Sequence, residues 1–407
     1  MTERADVVVV GAGAAGLMAA IFARRTDASL RVIALDGART LGAKILVAGG
    51  GRCNVTHHAV DETAFAGSTR PAIRKVLRRF GVADTVAFFR EQGVALKRED
   101  TGKLFPTTDR ARTVLDALLR AADQAGVEIR HPWRVAGVDR GFVVTARDGA
   151  RLEAGRVVLA TGGRALPKTG SDGAGYELAR SLGHGVTRTF PALVPLTLPE
   201  GHFLRALSGL SAPATLAVRA GGRRVAEFTG PTLCTHFGLS GPAALDVSRY
   251  WTDARHGDPG ATLVASWLPG TTADALDAAL RDPARTPSRF LAERMPERLA
   301  RALCAEAGDA WGVPGRRLTR EARLALVRAA VELPLPVAGD RGYTEAEATA
   351  GGVPLAELDL ATLESRITPG LYLCGELCDV DGRIGGFNFQ WAWASGFVAG
   401  TAAARPR

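Results

Sequence analysis

Gly11, Gly13 and Gly16 stand in a G-x-G-x-x-G pattern, directly after an apolar run and at the head of an alanine-rich stretch. Each glycine of that spacing has a use. The first makes a tight turn, the second lets bare backbone approach a pyrophosphate, and the third lets a helix pack closely on a strand. Ala14 and Ala15 belong to the turn, and the N-terminus of the helix that follows favours an anion through its free N–H groups and dipole. Asp36 follows Gly16 by 20 residues at the end of a second apolar run, where a carboxylate accepts ribose hydroxyls, with Gly37 behind it. The glycines alone are a weak signal. With a strand on either side and the acid in place, they point to a dinucleotide.

The segment after the acid bears on which dinucleotide. Gly49, Gly50 and Gly51 are consecutive, Lys44 precedes them, and Arg52, Cys53 and Asn54 follow. Bare glycine backbone admits a flat ring, and the two cations suit phosphates and the anionic edge of a reduced flavin. FAD is therefore expected, against the plainer reading of a glycine-rich surface loop. Thr161, Gly162 and Gly163 end another apolar run, a place where a second backbone segment passes a dinucleotide. Near the C-terminus lie Gly375, Glu376, Asp379 and Asp381, then Gly386, Phe387 and Asn388 opening a last helix. Carboxylates there suit sugar or ribityl hydroxyls, and the helix N-terminus suits a flavin carbonyl. An Asp/Gly turn capping a helix, or a weak metal loop, is the alternative.

Two residues are candidates for catalysis. Cys53 follows the glycine run, and a thiolate there would need a depressed pKa, which Arg52 and a helix terminus could supply; the alternative is a small packing residue. His236, in the block Thr235–Pro242, carries an imidazole, the side-chain type suited to protonating a substrate or holding an anion; the alternative is a histidine satisfying a turn. His57 and His58 are weaker candidates. Cys374 and Cys378 have three residues between them, not the two of a thioredoxin-type pair, and read as buried structural thiols. No metal site is expected, and no Ser-His-Asp or paired-carboxylate spacing supports a hydrolase. No second G-x-G-x-x-G follows a strand, which argues against a disulfide-reductase arrangement.

The elements that must position these residues are legible in outline. Asp6–Val10 and Arg31–Asp36 read as strands around the helix Leu17–Arg25. Helices are expected over Pro71–Phe80, Ala83–Glu91 and Asp109–Ala125, with Asp109 as cap, and strands over Val127–Arg130, Arg134–Asp139, Phe142–Arg147 and Val157–Ala160. From about Phe190, short strand-like runs between Pro and Gly suggest an antiparallel sheet or barrel. Thr272–Val331 turns helical, punctuated by Pro283, Pro287, Pro296 and Pro314. Leu371–Cys374 reads as a strand and Phe387–Ala404 as the closing helix.

Composition sets the bounds. The chain has 407 residues, 46% hydrophobic and 23% charged, ordinary for a globular protein. No apolar run reaches a membrane span of about 20 residues, and no secretory leader is recognised, so a cytoplasmic location is expected. Five scattered cysteines argue against a disulfide framework. The net charge of +9 comes from 46 Arg and 5 Lys dispersed singly. Nucleic-acid binding wants a clustered basic face, so a small-molecule substrate is the expected partner. Oligomeric state is not legible.

The blocks GAGAAG at 11–16, GAKILVAGGGRCNVT at 42–56, ATGGRALPKTGSDGAGY at 160–176, PALVPL at 191–196, THFGLSGPAAL at 235–245, TAGGV at 349–353 and LYLCGELCDVDGRIGGFNFQWAWASGFVAG at 371–400 occur in order. Together they resemble the NAD(P)/FAD-dependent oxidoreductases of the BaiN/RdsA type, the aminoacetone-oxidase-family FAD-binding enzymes. They are more distantly similar to fumarate reductase and succinate dehydrogenase flavoprotein subunits. Residues from about 250 to 335 match only in helical texture. Cys374, Cys378 and the pair Trp391 and Trp393 depart from the family pattern.

The resemblance implies an α/β protein with a discontinuous Rossmann-type FAD domain (1–190 and 336–407). It implies a β-barrel-like substrate domain (191–271 and part of 332–350) and a helical insertion (272–331). It implies non-covalent FAD, with Gly49–Gly51, Arg52, Cys53 and Asn54 along the isoalloxazine and Glu376 on the ribityl or phosphate region. Asp379 and Asp381 neighbour Glu376; Gly386, Phe387 and Asn388 give backbone donors; Val135 touches adenine. The expected activity is hydride transfer between flavin N5 and a small organic substrate, with NAD(P)H as a transient donor and His236 as a substrate contact. The alternatives are a flavoprotein modifying RNA and a non-catalytic flavin-binding or redox-sensing protein.

Overall fold

A computed structural model describes residues 3–282, 286–308, 310–313 and 317–406. Pro283 and Pro314 lie outside the described residues. The chain is mixed α/β and divides into two compact units, Met1–Pro191 with Glu347–Arg407, and Ala192–Ala346.

The first unit is built on a parallel sheet ordered Glu128–Arg130, Val32–Leu35, Glu3–Val10, Arg151–Leu159, with Leu371–Leu373 beyond the last. Val7–Val10 and Val32–Leu35 are buried throughout, as strands covered on both faces must be. Arg151–Leu159 changes partner along its length. Residues 157–159 run parallel to Leu371–Leu373, while residues 151–153 pair antiparallel with Val143–Ala146, which pairs in turn with Val135–Val138.

The helix Ala14–Thr26 returns from the first strand and packs against the closing helix Phe387–Ala403. The approach is backbone to backbone. A Cβ on Gly396 would lie 2.4 Å from the Ala15 oxygen, and one on Gly400 2.0 Å from the Ala19 oxygen. The closing helix is buried along most of its length and has no polar face to spare.

Asp109 is not the cap that the sequence suggests. The helix Ala111–Ala125 is preceded by Arg110 as cap residue, and the Asp109 carboxylate is held by Lys97. The expected loop after Gly42 begins as a helical turn, Ala43–Gly51, broken at Ala48 by an extended ψ of 143°.

The second unit carries a seven-stranded antiparallel sheet ordered Leu333–Leu335, Thr262–Ser266, Ser211–Ala220, Arg223–Thr235, Gly238–Ser240, Leu196–Thr197, Gly339–Asp340. Among the described residues its two end strands do not pair with each other, so the sheet stays open. The helix Pro242–Gly257 packs on its central hairpin. The helices between Ala273 and Val331 share one apolar core with the sheet through Leu263, Ala265, Trp267, Leu276, Leu299 and Leu326, instead of forming a body of their own. No helix among the described residues is long and apolar enough to cross a membrane.

Candidate functional site

The register of the first unit's sheet levels its strand ends. Val10 lies opposite both Leu35 and Leu159, and Leu159 opposite Leu373. Asp36, Gly11, Ala160–Thr161 and Cys374–Gly375–Glu376 therefore emerge along one carboxyl edge, where ligands of open α/β sheets bind. Each chain makes one more ladder bond before turning away: Gly11 N to Leu35 O at 2.7 Å, Ala160 N to Val10 O at 2.9 Å, and Cys374 N to Leu159 O at 3.0 Å.

The three glycines of the turn have different surroundings. A Cβ on Gly16 would lie 1.7 Å from the Gly11 oxygen, and one on Gly11 2.5 Å from the Ala160 oxygen, so these two serve packing. Gly13 has nothing within 4 Å of its Cβ position. It caps the helix of Ala14 and Ala15 without a side-chain bond, leaving bare backbone facing open space where a pyrophosphate would lie. Asp36 already accepts two backbone N–H groups at 2.8 Å, Ala12 on one oxygen and Ala38 on the other. Each oxygen keeps a further lone pair for a ribose hydroxyl. Gly37 packs on Arg134, which pairs with Asp172, and buried Val135 begins the next strand.

Glu376 is anchored from two sides. One oxygen takes Lys44 Nζ and the other accepts the Thr349 amide at 2.9 Å. The Thr349 hydroxyl accepts the Arg164 and Ala165 amides at 2.8 and 3.0 Å. Thr349 thus ties the turn after Thr161-Gly162-Gly163 to the C-terminal carboxylate. Sequence reasoning gave it no role, although it opens the TAGGV block. Gly163 leaves the necessary room, since a Cβ there would lie 2.7 Å from the Glu376 carboxylate.

Gly49, Gly50 and Gly51 have φ of 57°, 68° and 84°, a left-handed run that side-chain-bearing residues resist. It reverses the chain so that Cys53 N reaches Ala48 O at 2.9 Å. Cys53 itself sits at φ 60°. It is fully buried, and burial pushes its thiol up to about 12. That is opposite to what a reactive thiolate needs, and the position reads as packing. Arg52 does not present its charge freely either. Its guanidinium is 2.6 Å from Glu99 and lies over the Phe105 ring at 4.1 Å.

Asn54 is buried beside the closing helix, and a Cβ on its cap residue Gly386 would lie 2.8 Å from Asn54 Oδ1. Among the described residues that oxygen has no hydrogen-bond partner. Phe387 stacks on His57, with ring centroids 5.0 Å apart. The Asn388 side chain clamps Gly382, accepting its N–H at 2.8 Å and donating to its oxygen at 3.0 Å. Asp381 is buried in the strand Val380–Gly382, opposite Ala66, and the Asp379 carbonyl accepts the Ser68 amide at 2.8 Å. The two tryptophans that depart from the family pattern each hold a loop: Trp391 Nε1 donates to Gly375 O at 3.0 Å, and Trp393 Nε1 to Val55 O at 2.8 Å.

His236 belongs to the second unit. It sits in the exposed turn between Arg223–Thr235 and Gly238–Ser240, and its carbonyl accepts Arg205 Nε at 2.7 Å.

These residues fit a dinucleotide on two counts: Gly13 has open space beside it, and Asn54 Oδ1 is buried without a hydrogen-bond partner among the described residues. Comparison with known proteins agrees. The family model described as HI0933-like protein Rossmann domain matches residues 5–402. A 3-dehydro-bile acid delta(4,6)-reductase of Clostridium scindens is 36% identical over 404 residues, covering 97% of this chain and 98% of that protein. A protein of Escherichia coli named ribosomal RNA dihydrouridine synthase is 33% identical over 403 residues, covering 97% of each. Among solved structures, the FrdA chain of Escherichia coli quinol fumarate reductase shares the fold at TM-score 0.52 and 18% identity, over 99% of this chain and 70% of that one.

Proposed function

We propose, for a chain that belongs to the HI0933-like Rossmann family and is an FAD-dependent oxidoreductase, that it reduces a carbon–carbon double bond conjugated to a carbonyl, holding FAD non-covalently and drawing electrons from transiently docked NAD(P)H. The observation that carries this reading is the levelled carboxyl edge, which brings Gly13, Asp36, Thr161 and Glu376 to one side of the sheet. Bound FAD would supply a carrier able to take hydride from a donor and pass it to a substrate carbon.

The chain's part is to bind and orient. The Ala14 and Ala15 N–H groups would receive the pyrophosphate, Asp36 the ribose, and Glu376, held by Lys44 and Thr349, the ribityl or phosphate region. Gly386, Phe387 and Asn388 would offer backbone donors to the ring edge, next to Asn54. Gly50 and Gly51 present no side chain, so the flat flavin ring would meet only backbone there. Saturating a double bond consumes a proton as well as a hydride.

The substrate class is supported by the bile-acid reductase relative, whose name describes loss of double bonds conjugated to a 3-oxo group. Anaerobic addition of NADH or NADPH, followed by a panel of enones, tests the reading. Bleaching of the flavin bands and recovery on adding an enone is expected. A flavin that stays oxidised with both nucleotides would remove the donor claim and move screening to amines and alcohols. The ribosomal RNA relative favours a second reading, in which the double bond belongs to a pyrimidine base. Saturable RNA binding that weakens steeply with salt would favour it.

A further inference from the structure

Both cations that the sequence offers to the anionic edge of a reduced flavin are neutralised inside the protein. Lys44 pairs with Glu376, and Arg52 with Glu99. A third cation, Lys103, belongs to no motif. It is half-buried at the start of the strand Lys103–Pro106, directly opposite His57. Among the described residues no hydrogen bond or ion pair engages its ammonium.

Lys103 reaches the start of the closing helix. A Cβ on Gly385 would lie 3.7 Å from Lys103 Cε and 3.3 Å from the Phe387 ring. His57, stacked on that ring, has both ring nitrogens engaged, with Ala59 O at 2.8 Å and Thr101 O at 3.0 Å, so it serves as a platform. The helix Phe387–Ala403 leaves Gly386 with no side-chain cap and no acidic residue in its first turn. A helix N-terminus carries partial positive charge and favours anions. A lysine set against such an end adds like charge, which is unfavourable in the empty chain; an anion between the two removes the repulsion. Asn54 is a second sign of a missing group at this end. Its Oδ1, buried beside Gly386, has no hydrogen-bond partner among the described residues.

We propose that Lys103, with this helix end, supplies the positive charge that holds the reduced flavin as an anion. This rests on the FAD reading and deepens it, by naming the residue that sets the redox poise of the site. A flavin that has accepted a hydride carries one negative charge at its N1 and C2 carbonyl edge until a second proton arrives. An ammonium nearby favours that charged form. Lys103 therefore raises the midpoint potential and makes hydride transfer from NAD(P)H more favourable. Lys103→Met removes the charge and keeps the length. It is expected to weaken the binding of reduced FAD about tenfold relative to oxidised FAD, as loss of a half-exposed unit charge does. That ratio lowers the midpoint potential by about 30 mV. Lys103→Arg keeps the charge and is expected to keep the wild-type potential. Spectroelectrochemical titration of the FAD-loaded proteins reads the potential, and fluorescence titration reads the affinity for oxidised FAD. Lys103→Gln carries the same expectation should methionine prevent folding. An unchanged potential in the neutral variants overturns the proposal, including the case in which both forms of FAD bind equally more weakly. So does a potential lowered as far in Lys103→Arg as in Lys103→Met. A wild-type protein that takes up no FAD overturns the cofactor reading itself, and is told apart because no variant is needed to see it.

Discussion

Replacing Thr349 by valine removes one oxygen at almost constant volume from a fully buried position. That oxygen accepts two amides, Arg164 at 2.8 Å and Ala165 at 3.0 Å. A buried donor deprived of its acceptor costs roughly 1–3 kcal/mol. Ala165 is buried and loses the full amount, whereas water meets part of the loss at exposed Arg164. The expected sum is about 2–4 kcal/mol, a large share of a typical stability of about 5–15 kcal/mol. The same residue's amide holds Glu376, so the proposed cofactor site is expected to loosen with the turn. Urea unfolding of the FAD-free protein measures the first effect and FAD titration the second. Thr349→Ser returns the oxygen and is expected to recover most of both. A valine variant as stable as wild type would refute the reasoning, and so would a serine variant as weak as valine.

Gly400→Ala places a methyl 2.0 Å from the Ala19 carbonyl oxygen and is expected to cost about 1–3 kcal/mol by overpacking; an unchanged melting temperature would mean that the two helices are not in backbone contact. Asp36→Asn removes the charge and one acceptor from a group that serves Ala12, Ala38 and the proposed ribose, so FAD affinity is expected to fall at least tenfold by calorimetry; unchanged affinity would detach Asp36 from the cofactor. The buried thiols Cys53 and Cys374 are both pushed up to about 12 from an ordinary 9.0, because burial disfavours the thiolate. Their folded values exceed the unfolded ones, so the stability they contribute is complete below about pH 9 and is lost as pH rises towards 12, each thiol adding a slope of up to about 1.4 kcal/mol per pH unit. Urea midpoints measured between pH 8 and pH 11 should fall less steeply in Cys53→Ala, and an identical slope would contradict the burial argument.

What the sequence disclosed is what local chemistry encodes. The glycine turn, the strands flanking it and Asp36 are consecutive in the chain and obey fixed spacings, so their arrangement could be anticipated. The closing helix was legible from Phe387 because its apolar run follows a Gly-Gly turn. Long-range partners were not legible. Nothing in the order of residues announces that Thr349 meets Ala165, since the two are 184 residues apart and only the folded chain brings them together. From sequence Arg52 reads as charge for the cofactor, because its partners Glu99 and Phe105 are distant along the chain. Asp109 looked like a cap from its residue type, yet Lys97, on a neighbouring strand, claims its carboxylate. The open sheet of the second unit and the single core it shares with its helices depend on which strand edges pair, and short strands between prolines do not specify that.

Every role proposed for this chain depends on its holding FAD. The first measurement is therefore the absorption spectrum of the protein purified without added flavin, then of the filtrate after heat denaturation. Flavin bands in the native protein, with FAD released into the filtrate at about one per chain, are the expected result for the non-covalent fold-edge site. A colourless protein that takes up no FAD on reconstitution, or colour that stays with the precipitated chain, would contradict it.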